Sequence, residues 1–309
     1  MSEVSNVKQI TTSLLGLAAD SLAAHGAPAI SAYELAKYVF MHADKMSTRQ
    51  AALKSIFSVL CGEMIEVRLL TKIEPAAETR GYLLFGKAGA SPAEVMCSLD
   101  PFSYVSHLSA MEYHGLTDRF PKILYMTRPA AGQWREQAHA RMTRDLGDRL
   151  QVYLDSGLPK LLQPKVSRLG QTSIHFCERS QLGAFRLVVG SSLRVATIGR
   201  VFLEMIREPV LCGGIQHVID VYRREARRYL KLIVAEVSQH GVAIDKVRAG
   251  FLLSEVCGLN DEAFADWEKL AQRGGSRKLD AEGEYVPEFS ERWKLSLNVP
   301  SVIRASEDE

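Results

Sequence analysis

The chain has 309 residues, 24% of them charged and 47% hydrophobic, with a formal net charge of +2. That is enough chain for two domains and a sizeable core, with the composition of an ordinary globular protein. It excludes a global basic field, so any nucleic-acid contact has to come from local patches.

No run approaches the ~18 apolar residues of a membrane span, and no basic-then-apolar leader opens the chain. Cys61, Cys97, Cys177, Cys212 and Cys257 are scattered, with no Cys-x-x-Cys pair, as suits free thiols in a reducing compartment. The expectation is a cytoplasmic protein with no membrane contact.

Val7–Ala24 is amphipathic, with Ile10, Leu14, Leu15, Leu17, Ala18 and Leu22 on one side, and Gly26 and Pro28 break it. Ser31 with Glu34 forms a Ser-x-x-Glu capping box opening a helix over Tyr33–Met41, where Leu35, Tyr38 and Val39 share a face. Ser47 with Gln50 opens a second helix, Thr48–Leu60, whose Leu53, Ile56, Phe57 and Leu60 must face a core. Gly62 is expected to end it. Ile65, Val67 and Leu69 then alternate as a strand, and Gly81–Phe85 reads as the strand returning from a tip at Lys72–Arg80. The order predicts a winged helix-turn-helix over residues 1–90.

At 100° per residue, Thr48, Ala51, Ser55 and Ser58 lie opposite the apolar stripe of the second helix, flanked by Gln50 and Lys54. Small polar groups beside a cation suit a helix entering a major groove, and they suit a plain solvated face equally. In the DNA-binding reading Thr48, Gln50, Lys54, Ser55 and Ser58 face bases, Arg49 snorkels outward from near the core side, and Lys72 and Arg80 meet phosphate. Residues 1–90 hold nine Lys and Arg against eight Asp and Glu, a balance of +1, so such a module would bind weakly alone.

Ala88–Pro92 is the candidate linker to a second domain, 91–309. There the pattern predicts helices over Pro101–Gly115 and Gln133–Leu154, the latter polar and solvated, with a short strand at Ile123–Thr127 between them. Strands follow at Thr172–Cys177, Ala184–Val189 and Leu193–Ala196. A helix capped by Thr197 comes next, then a Cys212-Gly213-Gly214 turn and a long helix from Ile215 to about His240. Helices at Ile244–Cys257 and Glu262–Gln272 and a last strand at Trp293–Leu297 complete the chain. The fold class is α+β or α/β: the N-terminal winged helix followed by a mixed, helix-rich domain with a small sheet.

Chemistry-bearing patterns are few. There is no Gly-x-x-x-x-Gly-Lys-Ser/Thr loop, no Gly-x-Ser-x-Gly elbow and no His-Glu-x-x-His. His107 and His114 lie two turns apart on one expected helix, near enough for one ligand, although satisfied structural histidines are the commoner case. No catalytic residue, metal ligand or cofactor is assigned, and the chain does not read as an enzyme. Arg224, Arg227, Arg228 and Lys231 recur every three or four residues and form a basic ridge that only Glu225 offsets. It suits an anionic partner, nucleic acid or acidic protein, or else solvent.

Ser98-Leu99-Asp100-Pro101, Ser106-His107-Leu108-Ser109-Ala110, Tyr113-His114-Gly115-Leu116-Thr117-Asp118 and Pro121–Thr127 together resemble the central motif of the AbiEi-type antitoxins. Val195-Ala196-Thr197 with Arg200, Arg207-Glu208-Pro209, Cys212-Gly213-Gly214-Ile215, Lys246–Glu255 and Trp293–Pro300 are similar to that family's later segments. The family's Glu-Arg-Thr-like run is here Thr197-Ile198-Gly199-Arg200, and Lys246–Gly250 departs from its usual Arg-Leu-Gly.

The resemblance implies a transcriptional autorepressor and antitoxin of a type IV toxin–antitoxin, abortive-infection or phage-defence module. Its partners would be double-stranded DNA at inverted repeats in its own promoter and a nucleotidyltransferase-like toxin, with a homodimer on the DNA. The alternative is a protein-interaction module whose winged helix is a docking scaffold.

Overall fold

The computed structural model describes residues 15–45, 52–74, 80–87, 89–272 and 277–302, without the side chains of 43–45. Helix accounts for 51% and strand for 14%, a mixed helix-and-sheet protein. Two compact units emerge. The first holds Met1–Tyr104, Thr127–Leu182 and Leu187–Arg194; the second holds Val105–Met126, Gly183–Arg186 and Val195–Glu309. The segment up to residue 90 therefore shares its unit with later chain.

In the first unit, helix α1 covers 15–23 and is followed by strand β1 (Ala29–Ser31) and helix α2 (Ala32–Lys45). The Ser31 hydroxyl accepts from the Glu34 N–H at 3.1 Å, the half of the expected capping box that opens α2. The Glu34 carboxylate turns instead to Lys37 and Arg141.

Helix α3 spans Leu53–Glu66, with Ala52 at its N-cap and no side-chain cap; the Ser47–Gln50 box lies outside the described residues. Gly62 does not end α3, and Ile65 is helical rather than part of a strand. Ile56, Leu60 and Met64 keep an i, i+4 stripe fully buried across the glycine, and that burial outweighs its propensity cost of about 1 kcal/mol. Strands β2 (Leu70–Lys72) and β3 (Gly81–Leu84) follow. β3 sits between β1 and β2, antiparallel to both, with Ile30 opposite Tyr82 and Thr71 opposite Leu83.

Helix α2 is buried on both sides. Leu35 and Val39 join Ile30, Ile56, Leu60, Met64, Leu70 and Leu84 in one core, while Tyr33, Ala36 and Phe40 join Leu53, Trp134, Met142 and Tyr153 in another. The second core comes from α6 (Ala131–Leu146) and α7 (Leu150–Asp155), where one polar, solvated helix was expected. Gly147, at φ +55°, splits that helix, and Trp134, Ala138, Met142 and Leu146 form its buried stripe.

The linker expectation also fails at Ser91 and Pro92, since Ser91 caps helix α4 (Pro92–Leu99) in a full box with Glu94 and Pro92 takes the first turn; Ala88 is not described. Strand β6 (Arg168–Leu169) pairs antiparallel with β7 (Thr172–Arg179), which flanks the end of β5 (Ile123–Pro129), a strand that begins in the second unit.

Where the first unit gives way to the second, residues 101–105 are not helical. Tyr104–Val105 is strand β4, and α5 runs only over His107–Tyr113. The start of β5, then β4, β9 (Arg194–Ala196) and β8 (Phe185–Leu187) lie side by side, with Val105 parallel to Val195. Thr197 caps α8 (Ile198–Arg207) as expected, its hydroxyl accepting from Arg200 N–H. Gly199 lets α8 approach the backbone of the next helix, because a Cβ there would overlap the Leu232 carbonyl.

Gly213 and Gly214 take φ of +91° and +94° and turn the chain into α9, Ile215–His240. Helix α10 (Ala243–Phe251) runs on as a π turn over Leu252–Val256, and α11 covers Ala263–Glu268. The expected strand at Trp293–Leu297 reduces to isolated bridges from Ser296 to Lys278 and Phe289. Trp293 is fully buried against Gly250, where a methyl would overlap its ring, and that packing sets the local path.

Candidate nucleic-acid interface

The side of α3 away from its buried stripe carries Lys54, Ser55, Ser58, Val59, Gly62 and Glu66, all exposed. Of the residues expected on this face, Lys54, Ser55 and Ser58 are there; Thr48, Arg49 and Gln50 lie outside the described residues. The Lys54 stem passes over Gly157, whose added Cβ would stand 3.5 Å from Lys54 Cδ. Its ammonium makes no ion pair among the described residues. Lys72, at the end of β2, and Arg80, just before β3, are exposed as expected.

Sequence reasoning missed Arg68. α3 closes in a Schellman arrangement, with Leu69 N–H donating to the Met64 carbonyl at 2.9 Å and Arg68 N–H to the Ile65 carbonyl at 3.0 Å. The left-handed position there usually belongs to glycine, yet exposed Arg68 holds it at φ +60°. Arg80 is left-handed too, at φ +51°, so a strained arginine stands just before each strand of the β2–β3 hairpin. The only sequence signal would have been the helix running past Gly62, which moves its C-cap to Val67. Val59, an exposed apolar side chain on the same face, was also missed.

Beneath this surface α2 is fixed by charge. Asp145 Oδ2 accepts from Tyr33 Oη at 3.1 Å and Lys37 Nζ at 3.0 Å, and Arg141 stands 3.7 Å away while pairing with Glu34. Burial pushes the Asp145 carboxyl up, but the Lys37, Tyr33 and Arg141 donors outweigh it and hold the carboxyl below the usual range.

The ridge on α9 is exposed but not bare. Arg224 donates to the Leu116 carbonyl at 2.6 Å and pairs with Glu225 at 2.9 Å; Lys231 pairs with Asp261 at 3.0 Å. Arg228 lies over the Tyr229 ring, and neither it nor Arg227 has an acid partner among the described residues. Exposed Arg223 extends the ridge.

One buried group has the outline of catalytic machinery. His107 Nδ1 is 2.9 Å from Ser106 Oγ and its Nε2 is 3.0 Å from Glu208, the three partners of a Ser-His-acid relay with the two ring nitrogens exchanged. Ser106 and His107 are at most 1% exposed, so no substrate reaches the hydroxyl in this conformation. Glu204 also accepts from the His107 N–H at 3.0 Å, holding His107 at φ +50°, and Arg200 Nε donates to Glu204 at 3.1 Å. The cluster fastens α5 to α8. His114 bonds elsewhere, to the Ala196 carbonyl at 2.7 Å, so the two histidines do not share a ligand.

Asp100 in the Ser98–Pro101 motif is fully buried and accepts from Trp134 Nε1 and Phe102 N–H, with burial pushing its carboxyl up. No group of three His, Cys, Asp or Glu able to hold a metal ion occurs among the described residues. No described helix is long and apolar enough to cross a membrane. No model of a known protein family matches the chain, and no curated protein matches it.

Proposed function

We propose that the chain is a DNA-binding autorepressor and the antitoxin of a type IV toxin–antitoxin or phage-defence module, acting in the cytoplasm against a nucleotidyltransferase-like toxin. One observation carries the DNA-binding half: the order α1, β1, α2, α3, β2, β3, with β1 joined to β3 beside the β2–β3 hairpin. We read this as a winged helix-turn-helix over residues 1–90, with α3 as recognition helix and the hairpin as wing. Lys54, Arg68, Lys72 and Arg80 then meet phosphates, and Ser55 and Ser58 meet base edges. A balance of +1 over residues 1–90 supplies little non-specific affinity, so binding as a dimer on inverted repeats is part of the proposal.

The antitoxin half rests on the motif likeness of residues 98–300 alone, with 91–309 as the antitoxin domain and Arg227 and Arg228 offered to an acidic toxin surface. The test is a gel shift on DNA upstream of the protein's own gene, comparing wild type with Lys54→Ala and Arg80→Ala. Weaker binding and a salt slope lowered by about 1 in each variant are expected. No binding, or affinity unchanged by both, overturns the DNA half. Co-expression with the product of the neighbouring gene tests the other half: growth inhibition relieved by wild type and not by Arg227→Glu/Arg228→Glu.

The same +1 balance favours a second reading, a winged helix used as a protein-docking scaffold. Co-purification of a partner without any DNA binding would select it.

A further inference from the structure

The outward face of α3 carries one apolar side chain that the fold does not use. Leu53, Ile56, Leu60, Cys61 and Met64 supply the buried stripe of this helix. Val59 is 39% exposed, on the opposite side with Ser55, Ser58 and Gly62. Those neighbours are too short to cover it. A lone exposed valine is unremarkable on most surfaces. This one stands midway along a face whose ends carry cations, Lys54 at the first turn and Arg68 just past the last.

The major groove has one apolar group, the C5 methyl of thymine, and an apolar side chain amid polar ones reads it by contact. We infer that Val59 is a specificity-determining residue that packs against a thymine methyl, so that the recognised site holds an A·T pair opposite the middle of α3. This rests on the reading of α3 as a groove-facing helix, and charge complementarity selects the occupant. On this face Lys54 and Arg68 stand against exposed Glu66 and half-buried Glu63, and Lys72 and Arg80 on the adjoining hairpin tip the described surface to a small positive excess, which suits a phosphate-lined groove better than an apolar protein surface.

The experiment uses the full chain and two duplexes of the DNA upstream of its own gene, one with thymine and one with uracil replacing every thymine, which removes only the methyl groups. Wild type should bind the uracil duplex about fourfold more weakly per contacted methyl. Val59→Ala should bind the thymine duplex with the weakened affinity and treat both duplexes alike. Val59→Thr keeps one methyl group and should fall between. Thermal unfolding of the variants checks that this exposed site leaves the fold intact.

Wild type that binds both duplexes equally, or a Val59→Ala protein that still discriminates as wild type does, overturns the inference and leaves the DNA-binding reading standing. Failure of wild type to bind either duplex overturns that reading and the inference with it.

Discussion

The outer face of α3 and the ridge of α9 differ less in available charge than their sequences advertise. α9 displays five cations within nine residues, Arg223 to Lys231, whereas the outer face of α3 shows one lysine and one glutamate, Lys54 and Glu66, among serines. Yet Arg224 and Lys231 on α9 are bound to Glu225, Asp261 and the Leu116 carbonyl. Lys54, Lys72, Arg68 and Arg80 around α3 have no acid partner among the described residues. What attracts an anion is charge left unpaired at the surface, and exposed pairs release little when they break. Counting basic residues sets five cations on α9 against one on α3; pairing leaves Arg223, Arg227 and Arg228 on α9 against Lys54 on α3 with Arg68, Lys72 and Arg80 around it, so the contrast narrows.

The widest test of that comparison removes Lys54, Lys72 and Arg80 together, as alanines. Affinity for the upstream duplex should fall about a hundredfold at ~0.1 M salt, with the salt slope reduced by about 3. If Arg223→Ala/Arg227→Ala weakens the same binding as much, the contrast between the helices is wrong.

A smaller effect is expected at the helix end. Arg68→Gly relieves the left-handed arginine and should raise stability by up to about 1 kcal/mol in urea unfolding, while DNA affinity falls several-fold with loss of one cation. Gains in both would strip Arg68 of any role at the interface.

Gly62→Ala should also stabilise by about 1 kcal/mol or less, since a Cβ there meets nothing within 4 Å. Weaker binding of DNA by this variant would mean that a partner approaches the helix backbone at this point; unchanged binding would place Gly62 outside the contact.

The smallest effect concerns the platform under α3. Asp145 has a folded pKa held below its unfolded value, so the stability it contributes is present above about pH 4 and lost as pH falls through the folded value. Asp145→Asn should flatten the decline in stability on the acid side below about pH 4, as read by urea midpoints across pH. An unchanged acid limb would show that the Tyr33, Lys37 and Arg141 contacts do not bias that carboxyl.

Where helices could be read from the chain, local chemistry was the reason. Thr197 caps α8, the Gly213-Gly214 pair starts α9, and Ile215–His240 runs as its periodicity predicts. Readings failed where tertiary burial overrode a local stop signal or supplied a second face. Gly62 did not end α3, because Met64 has a core to enter. The charged α6 was buried along Trp134, Ala138, Met142 and Leu146, because α2 is apolar on two sides and needs a neighbour on each.

By itself, then, the sequence determined the Thr197 cap and the Ser31 half of the first capping box, one inward stripe each of α2 and α3, and the mixed helix-and-sheet class. These depend on residues within one or two turns of each other, so spacing alone reveals them. Only the tertiary structure decided that α3 ends in a strained arginine, that Val59 faces outward, and which cations stay unpaired. Those outcomes depend on partners far apart in the chain, such as Lys231 with Asp261, Arg224 with Leu116 and Lys37 with Asp145. No local pattern encodes a partner about thirty to more than a hundred residues away.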